Sequence, residues 1–243
     1  MVEPSSNARG IRPVEPASIV DQVTAEIRRS ILDGSLPPGE PFSIVDLCKK
    51  LQVSHIPVRE ALRRLEGHGV LQLRPGRSAV VAPIDADDLR SMYRLRRLIE
   101  VDLAGRACTL LDDQDIGQLE STLDAYTIEP SNADRVLDEH REFHLGLLRP
   151  AASSWDVRVL ELLWHAGERY ARLALSDSLL EPNAAARQAQ AHRALIEAVR
   201  SRSPARLRKE LRAHLEVNEA MLLKGVERMA PYSDGLRPVA GRA

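Results

Sequence analysis

The chain has 243 residues, 44% hydrophobic and 28% charged, a balance that supports buried cores and excludes a disordered chain. With two cysteines and no apolar run near the roughly 18 residues a bilayer span needs, a disulfide framework and a membrane protein are excluded. The formal net charge of −1 decides little, because nucleic-acid binding depends on local rather than total charge.

Residues 1–16 hold three prolines without apolar periodicity, which predicts a flexible arm, and the polar start lacks the apolar stretch of a signal peptide, which predicts a cytoplasmic protein. Ile19, Val23, Ile27 and Ile31 then recur every four residues, one face of a helix ending near Asp33-Gly34. Leu36-Pro37-Pro38-Gly39 reads as a turn. Ser43 caps a short second helix, with Asp46 placed to meet its amides and Leu47 and Leu51 turned inward. A third helix starts at Ser54 as cap, with Pro57 in its first turn, where a missing amide hydrogen costs little. Val58, Leu62 and Leu65 form its buried stripe, leaving His55, Ile56, Arg59 and Arg63 exposed. Val70–Leu73 and Ser78–Ala82 flank Arg74-Pro75-Gly76-Arg77 as a β-hairpin. Three helices and a hairpin make a winged helix-turn-helix over residues 17–83.

The charge distribution fits a duplex partner. Residues 54–77 carry Arg59, Arg63, Arg64, Arg74 and Arg77 against only Glu60 and Glu66, a basic island suited to phosphates. Aromatic residues are 3% of the chain, too few for the stacking platforms of single-strand binders. An exposed helix bearing Arg59 suits the major groove, where arginine bonds guanine bidentately, and the Gly76 wing can approach the backbone.

From Asp85 the pattern is helical, with breakers near Asp112, at residues 129–132, at Pro150, at residues 181–182 and at Ser203-Pro204. The expectation is about six helices in an antiparallel bundle over residues 84–230, then a flexible tail at 231–243. The junction at Pro83 to Asp85 is short, so the two domains should move in register. Cys48 and Cys108 fall in apolar patterns as buried thiols.

Four of the seven histidines lie in the apolar stripes of their helices. His140 and His144 are one turn apart among Val136, Leu137, Phe143 and Leu147. His192 sits with Leu195, Ile196 and Val199, and His214 with Leu207, Leu211, Val217 and Met221. His165, by contrast, falls on a polar face. Four separate buried imidazoles would be costly, whereas together they can coordinate one divalent cation. Arg96 also lies in an apolar stripe, with Glu100 one turn on. This is either a structural ion pair or a guanidinium that grips a carboxylate ligand.

The run Ser54-His55-Ile56-Pro57-Val58-Arg59-Glu60-Ala61-Leu62, preceded by Gly34-x-Leu36-x-Pro38-Gly39-Glu40, resembles the GntR family of winged-helix repressors. The resemblance implies DNA contacts from Arg59, from the two positions after the serine and from the wing glycine, Gly76. The candidate DNA-binding set is therefore Ser54, His55, Ile56, Pro57, Arg59, Arg63, Arg74, Gly76 and Arg77. The family usually has Arg-Thr or Arg-Ser where His55-Ile56 stand here, and a basic residue is missing near Val45, which implies an altered operator or lower affinity. Arg96-x-x-x-Glu100, Phe143-His144, His192-Arg193-Ala194 and His214-Leu215 resemble the FCD effector domain of the FadR subfamily. That resemblance implies a divalent metal on one Asp and three His, with small organic acids bound beside it. His144, His192 and His214 match the histidines, and His140 stands at the Asp position, which favours zinc or nickel over manganese or magnesium.

The leading reading is a homodimeric DNA-binding transcription regulator, a repressor of double-stranded operator DNA that answers to a small carboxylate effector held by Arg96 and Glu100. The alternatives are a metal-dependent hydrolase, against which the absence of an acidic group beside His192 or His214 speaks, and a constitutive DNA-binding protein with a vestigial pocket.

Overall fold

The computed structural model describes residues 18–76, 78–124, 133–178 and 184–233. The expected arm at 1–16, Arg77, the expected breakers at 129–132 and 181–182, and positions 234–243 of the expected tail lie outside these residues.

Helix α1 (Ile19–Leu32) starts at Ser18, whose hydroxyl accepts from the Asp21 amide while the Asp21 carboxylate accepts from the Ser18 amide, a reciprocal cap. Val23, Ile27 and Ile31 are buried, but Ile19 is 54% exposed because its turn projects past the core. Strand β1 (Pro41–Ser43) leads into α2 (Ile44–Leu51), where Ser43 accepts from the Asp46 amide at 3.2 Å. Asp46 itself reaches Lys49, at 3.8 Å, instead of the amides. Helix α3 (His55–Gly67) begins after Ser54, which occupies the cap position without a side-chain hydrogen bond.

Strands β2 (Leu71–Arg74) and β3 (Ser78–Val81) form the expected hairpin, and β1 completes a sheet of order β1-β3-β2 that the sequence pattern did not announce. Pro41 lies opposite Val80 and Leu71 opposite Val81, both pairings antiparallel. Val58, Leu62 and Leu65 join Val23, Ile27, Leu47, Leu71 and Val81 in one core. Each such side chain contributes about 1.5–3 kcal/mol on full burial.

The second unit contains α4 (Ala86–Ala107), α5 (Asp113–Asp124), α6 (Ala133–Leu148), a short 3-10 turn at Arg149–Ala151, α7 (Ser154–Ser178), α8 (Ala184–Arg200) and α9 (Pro204–Ser233). The helices start where the sequence breaks its pattern. Asp112 accepts from the Asp115 amide at 2.8 Å and Ser153 from the Asp156 amide at 3.2 Å, each with a reciprocal carboxylate bond. Helix α9 continues to Ser233, past the expected boundary at 230. In its long contact with α4, the Arg208 guanidinium lies over Gly105, where an added Cβ would displace it.

Helix α7 joins the two units. Arg28 of α1 donates from Nε to Glu168 at 2.6 Å and from Nη2 to Asp138 of α6 at 2.9 Å. His68, which caps the end of α3, stacks on His165 with centroids 4.4 Å apart and planes 5° from parallel. Arg169 reaches the Gly69 carbonyl at 3.4 Å and pairs with Asp88. The Tyr170 hydroxyl donates to the Asp85 carbonyl at 2.8 Å and accepts from its amide at 3.3 Å, which pins the junction.

Candidate functional site

The surface of α3 follows from its stripe. Once Val58, Ala61, Leu62 and Leu65 turn inward, Ser54, His55, Ile56, Arg59 and Arg63 must face solvent, and they do. Ile56 is 75% exposed, a large apolar side chain with no cover in the chain itself. Arg63 is drawn into an exposed pair with Glu60 at 3.0 Å, and Arg64 into one with Asp21 at 2.7 Å. His55 Nδ1 lies 3.4 Å from the Cys48 sulfur of α2, so one edge of the ring is turned toward its own domain. Pro57 is a correction: it is buried with Val58 and points into the core, so its part is to shape the first turn of α3. In the wing, Arg74 and Gly76 are exposed, and Gly76 has φ of +99°, a left-handed turn conformation open to glycine.

The second site lies inside the bundle. Helices α4, α6, α7, α8 and α9 enclose a cavity of about 390 Å³, with Arg96, His140, His144 and His214 among its lining residues. His140, His144, His192 and His214 each offer a ring nitrogen, and all four nitrogens lie within 4.8 Å of one another. His144 Nε2 and His214 Nε2 are 3.2 Å apart.

Burial and the neighbouring imidazoles hold His140 and His214 well below the ordinary histidine range, and burial with the nearby His144 brings His192 down to about 3. A ring kept neutral in this way retains one N–H and offers a lone pair at its other nitrogen. The His140 Nε2 atom is buried without a hydrogen-bond partner.

These residues fit a divalent metal. Two ligand nitrogens of a tetrahedral zinc, each bound at about 2.0–2.1 Å, stand roughly 3.3 Å apart, close to the His144–His214 separation. Glu100 lies behind the cluster, its Oε2 3.3 Å from His144 Nδ1; the two atoms are adjacent without hydrogen-bond geometry, so a small rotation would bring them into the carboxylate–histidine arrangement that orients metal ligands.

Glu100 itself is fully buried and is not among the residues lining the cavity. This corrects its expected role as a direct effector contact. Its Oε1 accepts from Arg96 Nε at 2.7 Å and from Trp164 Nε1 at 3.1 Å. Burial pushes the Glu100 carboxyl up, but the Arg96 charge and the His144 contact outweigh it and bring it down to about 2. Arg96 thus satisfies the structural reading at Nε, while its buried Nη2 has no hydrogen-bond partner and the residue lines the cavity. The guanidinium also lies over the Tyr93 ring, 4.8 Å from the centroid.

Sequence reading missed four residues here. Asn218 Nδ2 is 3.1 Å from His214 Nε2, and its position one turn after His214 on the same helix was the available signal. Trp164, Arg141 and Glu168 line the same cavity, but they come from helices whose relative rotation no local pattern encodes. Val217, expected in the buried stripe of α9, is 67% exposed at the cavity rim.

Comparisons with known proteins agree with this two-part architecture. Residues 91–217 match the FCD domain, and residues 19–81 match the bacterial regulatory proteins of the gntR family. The chain is 27% identical over 207 residues to the HTH-type transcriptional regulator BphR of Paraburkholderia xenovorans, covering 82% of this chain and 83% of that one. It is 29% identical over 150 residues to the HTH-type transcriptional repressor RspR of Escherichia coli K12, covering 60% of this chain and 65% of that one. The solved structure of E. coli McbR/YncC shares the fold, with a TM-score of 0.69 at 22% identity over 86% of this chain and 99% of that one. Among the described residues no helix is long and apolar enough to cross a membrane. The chain belongs to the gntR family of bacterial regulatory proteins: it is a transcriptional regulator that joins a gntR helix-turn-helix to an FCD domain.

Proposed function

We propose that the chain is a homodimeric repressor of the FadR type, whose operator affinity is set by a small organic acid bound next to a divalent metal, zinc or nickel, on His140, His144, His192 and His214. The observation that carries this reading is the double duty of α7, which lines the cavity with Trp164 and Glu168 and meets the DNA-binding unit with His165, Glu168 and Arg169. A change at the cavity wall is therefore a change at the domain interface.

When bound, the metal supplies a positive charge that holds one oxygen of a carboxylate. Arg96 Nη2 donates to the same group, Glu100 keeps the guanidinium and the His144 ring in place, and the apolar wall excludes water. Arg141, also in the wall, shares Asp138 and Glu168 with Arg28 of α1, at 2.9 and 3.4 Å. A ligand body packed against Arg141 and Glu168 in the wall shifts these side chains and so alters the hold of the shared carboxylates on Arg28. The acid and the docked arrangement of α1 then influence each other reciprocally, with a tenfold change in operator affinity corresponding to about 1.4 kcal/mol. On DNA, two copies place paired α3 helices in successive major grooves, with Arg59 toward base edges and the Gly76 wing against the backbone. The repressor name printed for RspR supports the sign of regulation.

The test is operator binding by fluorescence anisotropy, using zinc-loaded protein and a panel of organic acids. The expected outcome is that at least one acid shifts operator affinity about tenfold or more and that the shift disappears on chelation. An operator affinity indifferent to both acid and metal overturns the reading.

A further inference from the structure

Resting on that reading of the cavity as the effector site, we infer that it selects one carboxylate on an apolar body, a straight-chain or aryl monocarboxylic acid, and discriminates against di- and tricarboxylates. The charge count inside the wall carries this. Among the described wall residues, Arg96 offers a buried guanidinium nitrogen with no hydrogen-bond partner, next to the imidazole cluster. Arg141 is committed to Asp138 and Glu168, and Arg187 sits exposed at the rim. The remaining charged wall residues, Glu168 and Glu210, are acidic and repel a second carboxylate.

Away from the imidazoles one face of the wall is apolar. Met92, Val136, Leu163 and Leu222 are buried, with Leu137 and Met221 half-buried beside them. A carboxylate alone would leave most of the roughly 390 Å³ without partner atoms, and packed interiors do not leave apolar voids of that size unfilled. A second polar group placed against that apolar face, and not near Gln188 or Asn218, would lose water without gaining a hydrogen bond. One charged end and one apolar end is therefore the ligand shape that satisfies every wall.

The experiment is isothermal titration of zinc-loaded full-length protein with acetate, butyrate, hexanoate, octanoate and phenylacetate, alongside succinate and citrate. Each buried methylene should raise affinity by up to about fourfold, so octanoate should exceed butyrate by more than tenfold. Succinate should bind at least tenfold more weakly than hexanoate. Val217→Glu, at the exposed rim and so compatible with folding, should weaken octanoate at least fivefold and leave zinc content unchanged. Affinity that is flat or falling with chain length, or succinate or citrate binding as tightly as octanoate, overturns the selectivity while the effector reading stands. No binding by any acid overturns both.

Discussion

Arg28 of the first helix and Arg141 of the cavity wall hold the same two carboxylates, Glu168 Oε2 and Oε1 and a single oxygen of Asp138. Burial pulls the Arg28 guanidinium down, and the two carboxylates more than offset this, so it stays charged at the interface. The two arginines belong to different domains, so their shared anions form a charged link from the cavity wall to the DNA-binding unit. Arg28→Ala should leave Glu168 paired with Arg141, preserve folding, and reduce the acid-dependent change in operator affinity from about tenfold to less than twofold. Anisotropy titrations with and without acid read this directly, and an undiminished response would show that coupling runs elsewhere.

Arg59→Ala should weaken specific operator binding by about five- to 150-fold, the range for losing a bidentate base contact of about 1–3 kcal/mol. Arg63→Ala should cost less, since Arg63 is already engaged by Glu60. Operator titrations at fixed salt compare the two, and equal losses would argue against a base contact by Arg59.

The double variant His144→Ala and His214→Ala should abolish metal retention by elemental analysis. It should also remove the thermal stabilisation that added zinc gives the parent protein, about 2.7 kcal/mol when free metal is a hundred times its dissociation constant. Metal content equal to that of the parent would refute the four-histidine site.

Arg96→Ala strands a buried Glu100 carboxylate, and losing one partner of a buried pair costs about 3–5 kcal/mol. Arg96→Lys is the better probe, because the ammonium still faces Glu100 but lacks the second fork nitrogen. It should fold, keep its metal, and bind hexanoate at least tenfold more weakly by calorimetry.

Much of this was legible in the residues. The cap at Ser43, the stripe of Val58, Leu62 and Leu65, and the glycine turn at Gly76 follow from short-range rules, and the structure has all three. Strand β1 was not legible, because three residues starting with proline have no period, and their pairing with β3 is some forty residues distant. Pro57 was assigned to the DNA face by its motif, although the helix phase that buries Val58 also turns it inward. At the second site, helical spacing placed the histidines on common faces. It could not show that Glu100 sits behind Arg96 and His144 and not in the cavity, because that depends on the rotation of α4. His165 read only as part of a polar face, and local spacing could not show that it stacks on His68 across the domain boundary.

The grip of the Tyr170 hydroxyl on the peptide groups of Asp85 makes the connector a fixed fulcrum. A winged helix tethered there can tilt against α7 but cannot slide away from it. In the proposed dimer, effector binding should then re-aim the two reading heads without lengthening their reach, so an operator with one extra base pair between its half-sites should stay poorly bound with or without acid.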